Sequence, residues 1–173
     1  GLWCYKIVYK ADDPNIILMA TNKGLIRSTN GGTSWQIIDT NDCRDIELNP
    51  SNANIVYILK QNTSSNFYEC WKSTNAGQNF TAKTLGWPTG LTNGVGRLAV
   101  SKANANRIYA VLLTDNEPRI MKSNDAGESW TAIAKGSSTA LEMNNGQGYY
   151  DLDIVVSSQN ADQLIVATTT AFR

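Results

Sequence analysis

One eight-residue pattern occurs three times along the chain: Ser28-Thr-Asn-Gly-Gly-Thr-Ser-Trp35, Ser73-Thr-Asn-Ala-Gly-Gln-Asn-Phe80 and Ser123-Asn-Asp-Ala-Gly-Glu-Ser-Trp130. Each copy reads Ser-x-(Asn/Asp)-x-Gly-x-x-aromatic, and the copies start 45 and then 50 residues apart. A period in that range confines the chain to a repeat architecture, because one such unit cannot bury its apolar face alone. The pattern has a physical logic. The side chains of Asn30, Asn75 and Asp125 can accept backbone hydrogen bonds two residues on, closing an Asx-turn. Gly32, Gly77 and Gly127 supply a positive φ without steric cost. The hydroxyls of Ser28, Ser73 and Ser123 can close a second local bond. Trp35, Phe80 and Trp130 then re-enter a strand, where they are expected to be buried against the turn. Asn30 and Asn75 keep the acceptor oxygen and lose the charge, which favours a structural turn over a cation site.

A second repeat precedes each of these turns. Four segments align without gaps: Ile7 to Ile17, Ile46 to Val56, Leu98 to Ile108 and Ile154 to Leu164. Each is a β-rich run, a polar Asn/Asp/Pro turn and a second apolar run, which is a hairpin signature. The serine turn then joins a second hairpin, so one unit holds four short strands, A to D. The first unit is expected at 5–9, 16–20, 25–28 and 35–38. The second is expected at 44–48, 55–60, 67–73 and 80–85, and the third at 96–101, 107–113, 118–123 and 130–134. In the fourth, strand A falls at 151–157 and strand B at 164–168, and Ala171-Phe-Arg173 matches the strand that leads into a serine turn. The expected fold is all-β.

The turn pattern resembles the Asp-box, or bacterial neuraminidase repeat, of β-propellers in sialidases, sortilin-type receptors and xyloglucanase-like glycosidases. The resemblance implies four-stranded antiparallel blades at about 1–40, 41–88 and 89–140, with a half blade at 141–173. Propellers usually close with four to eight blades. Three and a half blades therefore imply a segment completed by the remainder of a parent chain or by a companion chain. The stretch Gly146-Gln-Gly-Tyr-Tyr-Asp-Leu-Asp-Ile-Val-Val156 resembles the blade-start segment of large secreted propellers of Bacteroidetes-type bacteria. Those are exported by type IX secretion, so the resemblance implies a secreted or cell-surface protein that meets a secretion machinery.

Composition narrows the function. Fifteen basic and fifteen acidic residues leave no net charge. They are scattered, without the basic stripe that a nucleic-acid backbone requires. The longest apolar runs are far short of the roughly 20 residues of a membrane span. The chain has no histidine, which removes the usual serine and cysteine triads and any Cys/His metal cluster. No metal or cofactor is expected. Cys4 and Cys43 occupy matching repeat positions on adjacent blades, where the Cα separation of about 7 Å that a disulfide tolerates is hard to reach. Cys70 reads as a buried thiol.

A glycosidase needs two carboxylates about 5–10 Å apart across a cleft. Asp42, Asp45, Glu117, Glu142, Asp151 and Asp153 are the acidic candidates, and none sits in a glycosidase motif. The six arginines form no recognisable sialidase triad. Topology places the A–B turns and the serine turns on one face and the D–A and B–C loops on the other. Long loops on a rigid scaffold are where function collects. Two D–A connections are long, over 86–97 and 135–151. Trp87, Tyr149 and Tyr150 can offer stacking surfaces to a sugar or a peptide. Arg44, Asp45, Arg97 and Asp151 can supply polar contacts near the inner strands. The alternative is that the tyrosines pack between blades and the charges pair across the channel. Two functions stay open: a non-enzymatic binding or scaffold propeller presenting loops to a glycan or protein partner, and part of a sialidase- or xyloglucanase-like glycoside hydrolase.

Overall fold

The computed structural model describes residues 1–65, 67–91, 94–114, 118–135, 148–168 and 171–172. Among the described residues, fifteen strands form four antiparallel sheets, each a simple meander. Blade 1 is β1 (Cys4–Lys10), β2 (Asp13–Thr21), β3 (Gly24–Ser28) and β4 (Gln36–Asp39). Blade 2 is β5 (Cys43–Leu48), β6 (Val56–Asn62), β7 (Phe67–Ser73) and β8 (Thr81–Ala82). Blade 3 is β9 (Gly94–Val100), β10 (Ile108–Thr114), β11 (Arg119–Ser123) and β12 (Thr131–Lys135). Blade 4 has β13 (Asp153–Val156), β14 (Leu164–Ala167) and β15 (Ala171–Phe172). One helical turn, α1 (Gly148–Asp151), precedes β13 and ends at Asp151, where the sequence pattern predicts that strand A begins.

The blades stand side by side in chain order. The first strand of each touches the first strand of the next: β1 meets β5, β5 meets β9 and β9 meets β13. These four are the inner strands of an arc. Side chains alternate sides along a strand, so each blade offers one set of apolar residues to the blade before it and another to the blade after it. Three apolar clusters fill the three joints. Leu18, Ala20 and Leu25 of blade 1 meet Ile46, Val56 and Ile58 of blade 2. Tyr57, Leu59 and Cys70 of blade 2 meet Leu98, Ile108 and Leu112 of blade 3. Tyr109, Val111 and Leu113 of blade 3 meet Leu152, Ile154 and Val166 of blade 4.

The serine turns repeat atom for atom. Ser28 Oγ accepts the Gly32 N–H at 2.9 Å, and Ser73 and Ser123 do the same for Gly77 and Gly127 at 2.9 Å. The acceptor oxygen of the Asn or Asp reaches four residues on, not two. Asn30 takes the Ser34 N–H at 2.9 Å, Asn75 that of Asn79 at 3.0 Å and Asp125 that of Ser129 at 2.9 Å. Each turn is tied to the A–B turn of its own blade by one backbone bond: Gly31 to Asn15, Ala76 to Asn54 and Ala126 to Asn106. All three therefore lie on the A–B face.

The turns also hold the blades together. Arg27 Nε–H donates to the Ala76 carbonyl at 2.9 Å and Lys72 Nζ to that of Ala126 at 2.8 Å, each from the preceding blade. Ala76 and Ala126 carry positive φ (55° and 57°), which aims those carbonyls across the joint. A Cβ on Gly77 would stand 2.7 Å from Leu18 Cδ2, and one on Gly127 would stand 3.1 Å from Tyr57 Cε1. The glycine is thus needed for contact with the previous blade as well as for φ.

The aromatic of the pattern follows the same rule and corrects one expectation. Trp130 is buried against Trp87 of blade 2, edge to face at 4.9 Å, and Phe80 packs on the joint with blade 1. Trp35, expected to be buried, is 39% exposed. The aromatic packs against the preceding blade, and among the described residues no blade stands in front of blade 1.

Candidate functional site

The A–B turns follow the ends of the inner strands, so the starts of those strands open on the opposite face. There β1, β5, β9 and the α1 turn converge. Trp3, Tyr5, Arg44, Arg97 and Tyr150 line a concavity of about 370 Å³. A second one of about 360 Å³ adjoins it, sharing Tyr5, Arg97 and Tyr150 and adding Lys6, Asp45, Asp151 and Asp153. Tyr150 is 85% exposed and Trp3 66%, so two aromatic rings stand at the rim.

Of the residues singled out in the sequence, Arg44, Asp45, Arg97, Tyr150, Asp151 and Asp153 meet here. The Arg44 guanidinium lies 4.2 Å from the centre of the Tyr5 ring, a cation–π contact. The Tyr5 hydroxyl donates to Asp42 Oδ2 at 3.3 Å. Burial pushes the Asp42 carboxyl above the usual carboxylate range, against the opposing pull of Tyr68, Arg44 and Tyr5. Asp42 Oδ1 and Arg44 Nε are buried without a hydrogen-bond partner. Arg97 Nη1 donates to the Gly96 carbonyl at 3.0 Å. Tyr149 belongs to the same helical turn as Tyr150. Glu117, Glu142 and most of the second long loop lie outside the described residues.

Asp45 is bound into the scaffold. It is 1% exposed; Oδ1 accepts the Ile46 N–H at 2.9 Å and meets Lys6 Nζ at 2.9 Å, and Oδ2 accepts the Leu98 N–H at 2.7 Å. One carboxylate thereby links the inner strands of blades 1, 2 and 3. Lys6 also meets Glu47 at 2.5 Å. Burial pulls the Lys6 ammonium down, and Asp45 with Glu47 outweighs it, so its pKa ends above the ordinary value. Burial pushes the Glu47 carboxyl up, only partly offset by Lys6.

Trp87 is a correction. It was expected to offer a stacking surface, and it is 5% exposed, with its indole N–H donating to the Tyr68 carbonyl at 3.1 Å. The loop folds it under blade 3, where Trp130 covers it. Trp3, Tyr5 and Lys6 are site residues that the sequence reading passed over. The signal for Lys6 was present: Lys6, Asp45, Arg97 and Asp153 each stand immediately before one of the four aligned segments, with alternating charge. Among the described residues, no group of three or more Cys, Asp or Glu could hold a metal ion. Among the same residues, no helix is long and apolar enough to cross a membrane.

No protein-family model matches the chain, and no curated protein matches it in sequence. Solved structures do match. The chain is similar to the crystal structure of an ancestral GH74 enzyme, with a TM-score of 0.70 and 18% identity over 94% of this chain and 24% of that one. It is similar to the GH74 xyloglucanase from Xanthomonas campestris, with a TM-score of 0.69 and 12% identity over 97% of this chain and 27% of that one. It is also similar to YCF48 bound to D1 peptide, with a TM-score of 0.50 and 16% identity over 78% of this chain and 41% of that one. The fold is that of a β-propeller. This propeller arc spans about a quarter of the length of the two GH74 structures. At such identities the likeness concerns architecture, and function has to be argued from the site.

Proposed function

We propose that this arc is a non-enzymatic binding and scaffold segment of a larger secreted or cell-surface protein, with its ligand held at the mouth formed by the starts of the inner strands. The observation that carries this reading is the state of Asp45, the most central carboxylate beside the aromatic rim. Both of its oxygens are engaged by backbone N–H groups and a lysine. A general acid or base needs a free oxygen within reach of substrate. What the mouth exposes is Trp3 and Tyr150 for stacking, and the partly engaged guanidinium groups of Arg44 and Arg97 line it for polar contacts. That combination suits a glycan or an extended protein segment. The serine turns, which resemble Asp-boxes, serve the scaffold on the other face. Further blades from the parent chain or a companion chain complete the ring. Type IX export, suggested by the blade-start resemblance, agrees with the secreted location.

The test is binding of the purified chain to a glycan array and to a panel of synthetic peptides. Binding that is lost on Tyr150→Ala or Arg44→Ala, with the fold unchanged, supports the reading. Binding indifferent to both changes refutes this site.

A second reading rests on the likeness to two GH74 structures. Here the arc supplies one wall of a glycoside hydrolase site, and Asp151 and Asp153 are its exposed carboxylates. Turnover of β-glucans or sialosides by the parent protein, abolished by Asp151→Asn or Asp153→Asn with folding intact, would favour it over the binding reading.

A further inference from the structure

The two hollows of the mouth differ in charge. The first, lined by Trp3, Tyr5, Arg44, Arg97 and Tyr150, has guanidinium groups and aromatic rings on its wall and no carboxylate. The second adds Lys6, Asp45, Asp151 and Asp153. There Lys6 is held by Asp45 and Glu47, and Asp45 is engaged by two backbone N–H groups. Asp151 and Asp153 are the exposed carboxylates of that wall, and Asp153 gives one oxygen, Oδ1, to the Ile154 N–H at 2.8 Å. The walls are the starts of β1, β5 and β9 together with α1, so they belong to the joints made within the chain and not to the outward sides of blades 1 and 4.

Arg44 and Arg97 are half-buried, and among the described residues neither takes part in an ion pair, whereas the nearby Lys6 has two. A guanidinium carries five N–H donors in a planar fork. Arg97 uses Nη1 on the Gly96 carbonyl. The Arg44 guanidinium is set against the Tyr5 ring. Asp42, which tempers the Arg44 charge, takes the Tyr5 hydroxyl at 3.3 Å. One hollow therefore gathers two cations that repel each other and have no anion between them. An anion placed there relieves the repulsion, and partial burial strengthens its attraction to both.

We infer that the mouth takes an acidic glycan, with the carboxylate of a hexuronate between Arg44 and Arg97 and the hydroxyls of the same glycan donating to Asp151 and Asp153. This rests on the reading of the mouth as a binding site and names its ligand class. A planar carboxylate matches the guanidinium fork in two parallel hydrogen bonds. Tyr150 and Trp3, both exposed at the rim, stack on the faces of sugar rings. A neutral glycan would leave the two guanidinium groups without an anion. A run of acidic residues in a peptide would suit the first hollow and be repelled by Asp151 and Asp153 in the second. A uronate carries its anion and its hydroxyl donors on one ring, which is the order in which the two hollows present their charges.

The experiment is titration calorimetry of the purified 173-residue chain with oligogalacturonate, oligoglucuronate, the methyl ester of each, a neutral glucan of equal length and an acidic peptide. At least one of the two uronates is expected to bind, with an affinity that falls as salt is added. Its methyl ester should bind at least ~10-fold more weakly, and Arg44→Gln and Arg97→Gln should each weaken the uronate by a similar factor, since Gln keeps a donor and loses the charged fork. Both changes should leave the weak binding of the ester as it was. Asp151→Ala should weaken the uronate and its ester alike, because it removes a partner of the hydroxyls. Circular dichroism and thermal melts confirm that each variant is folded. An ester, a neutral glucan or an acidic peptide that binds as tightly as the uronate, and is lost on Tyr150→Ala, overturns the acidic-glycan assignment and leaves the mouth as the binding site. Uronate binding that is indifferent to Arg44→Gln, Arg97→Gln and Tyr150→Ala overturns both. Failure of both uronates to bind also overturns the assignment.

Discussion

The Nε–H of Arg27 donates to the Ala76 carbonyl at 2.9 Å, across the joint between blades 1 and 2. Arg27 is 6% exposed, and burial alone pulls its pKa down. A hydrogen bond from a buried charge is worth about 2 kcal/mol, and its loss leaves a buried carbonyl unpaired. Arg27→Ala is therefore expected to destabilise the chain by about 2 kcal/mol, read as a lower urea midpoint.

Gly77→Ala tests the second role of the turn. The new methyl would press on Leu18 at a φ of 77°. Strain and overpacking together should cost about 2–3 kcal/mol. Gly90→Ala is the control, since φ is also positive there (73°) and a Cβ would meet nothing within 4 Å. A larger loss at Gly77 than at Gly90, in paired denaturation curves, isolates the contact with the preceding blade from the backbone term.

Trp87 and Tyr150 should separate cleanly. Trp87→Ala removes a buried ring from the joint between blades 2 and 3 and should cost about 3–5 kcal/mol. Tyr150→Ala removes an exposed ring and should leave the melting temperature unchanged while reducing ligand binding. Thermal melts and binding titrations on the two variants check both statements.

Asp125 makes acid stability pH-dependent. Burial pushes its carboxyl up, yet the hydrogen bonds from Ser129 and Ser123 outweigh it and hold the pKa down at about 2. A depressed carboxyl contributes stability that is present above its unfolded value of about 3.9 and is lost as pH falls through about 2. Asp125→Asn, which copies Asn30 and Asn75, should flatten the acid limb between those values, with only a small change at neutral pH. Acid titration followed by tryptophan fluorescence gives the comparison.

The three thiols should react at very different rates. Cys43 and Cys70 are fully buried, and burial pushes both thiols up, while Cys4 is exposed. Alkylation of the native chain, followed by mass spectrometry, should mark Cys4 first and the other two only on denaturation.

The blades were legible because their signals are local. Strand alternation and the Ser-x-(Asn/Asp)-x-Gly spacing act within a few residues, and nearly every strand falls within about two residues of its expected place. The early start of β2, the short β8 and the helical turn before β13 are the departures. The site was legible in part. Arg44, Asp45, Arg97, Tyr150 and Asp151 share the mouth because topology gathers the starts of the inner strands. What each of them bonds to depends on contacts between blades. No local pattern says that Leu98 N–H claims Asp45, that Trp87 turns under Trp130, or that Trp35 lacks the neighbour its equivalents have. The Arg27 and Lys72 bonds to the next turn likewise cross between blades, beyond the reach of any local pattern.

Because the inner-strand contacts of the described residues run from β1 to β5, β5 to β9 and β9 to β13, these four blades behave as a row of coupled units rather than one cooperative globule. In such a row, stability is a sum of terms for each unit and each adjacent pair. The end units have one coupling and the middle units have two. Unfolding should therefore begin at blades 1 and 4 and move inward. The amide protons of β6 and β10 should be the last to exchange with solvent.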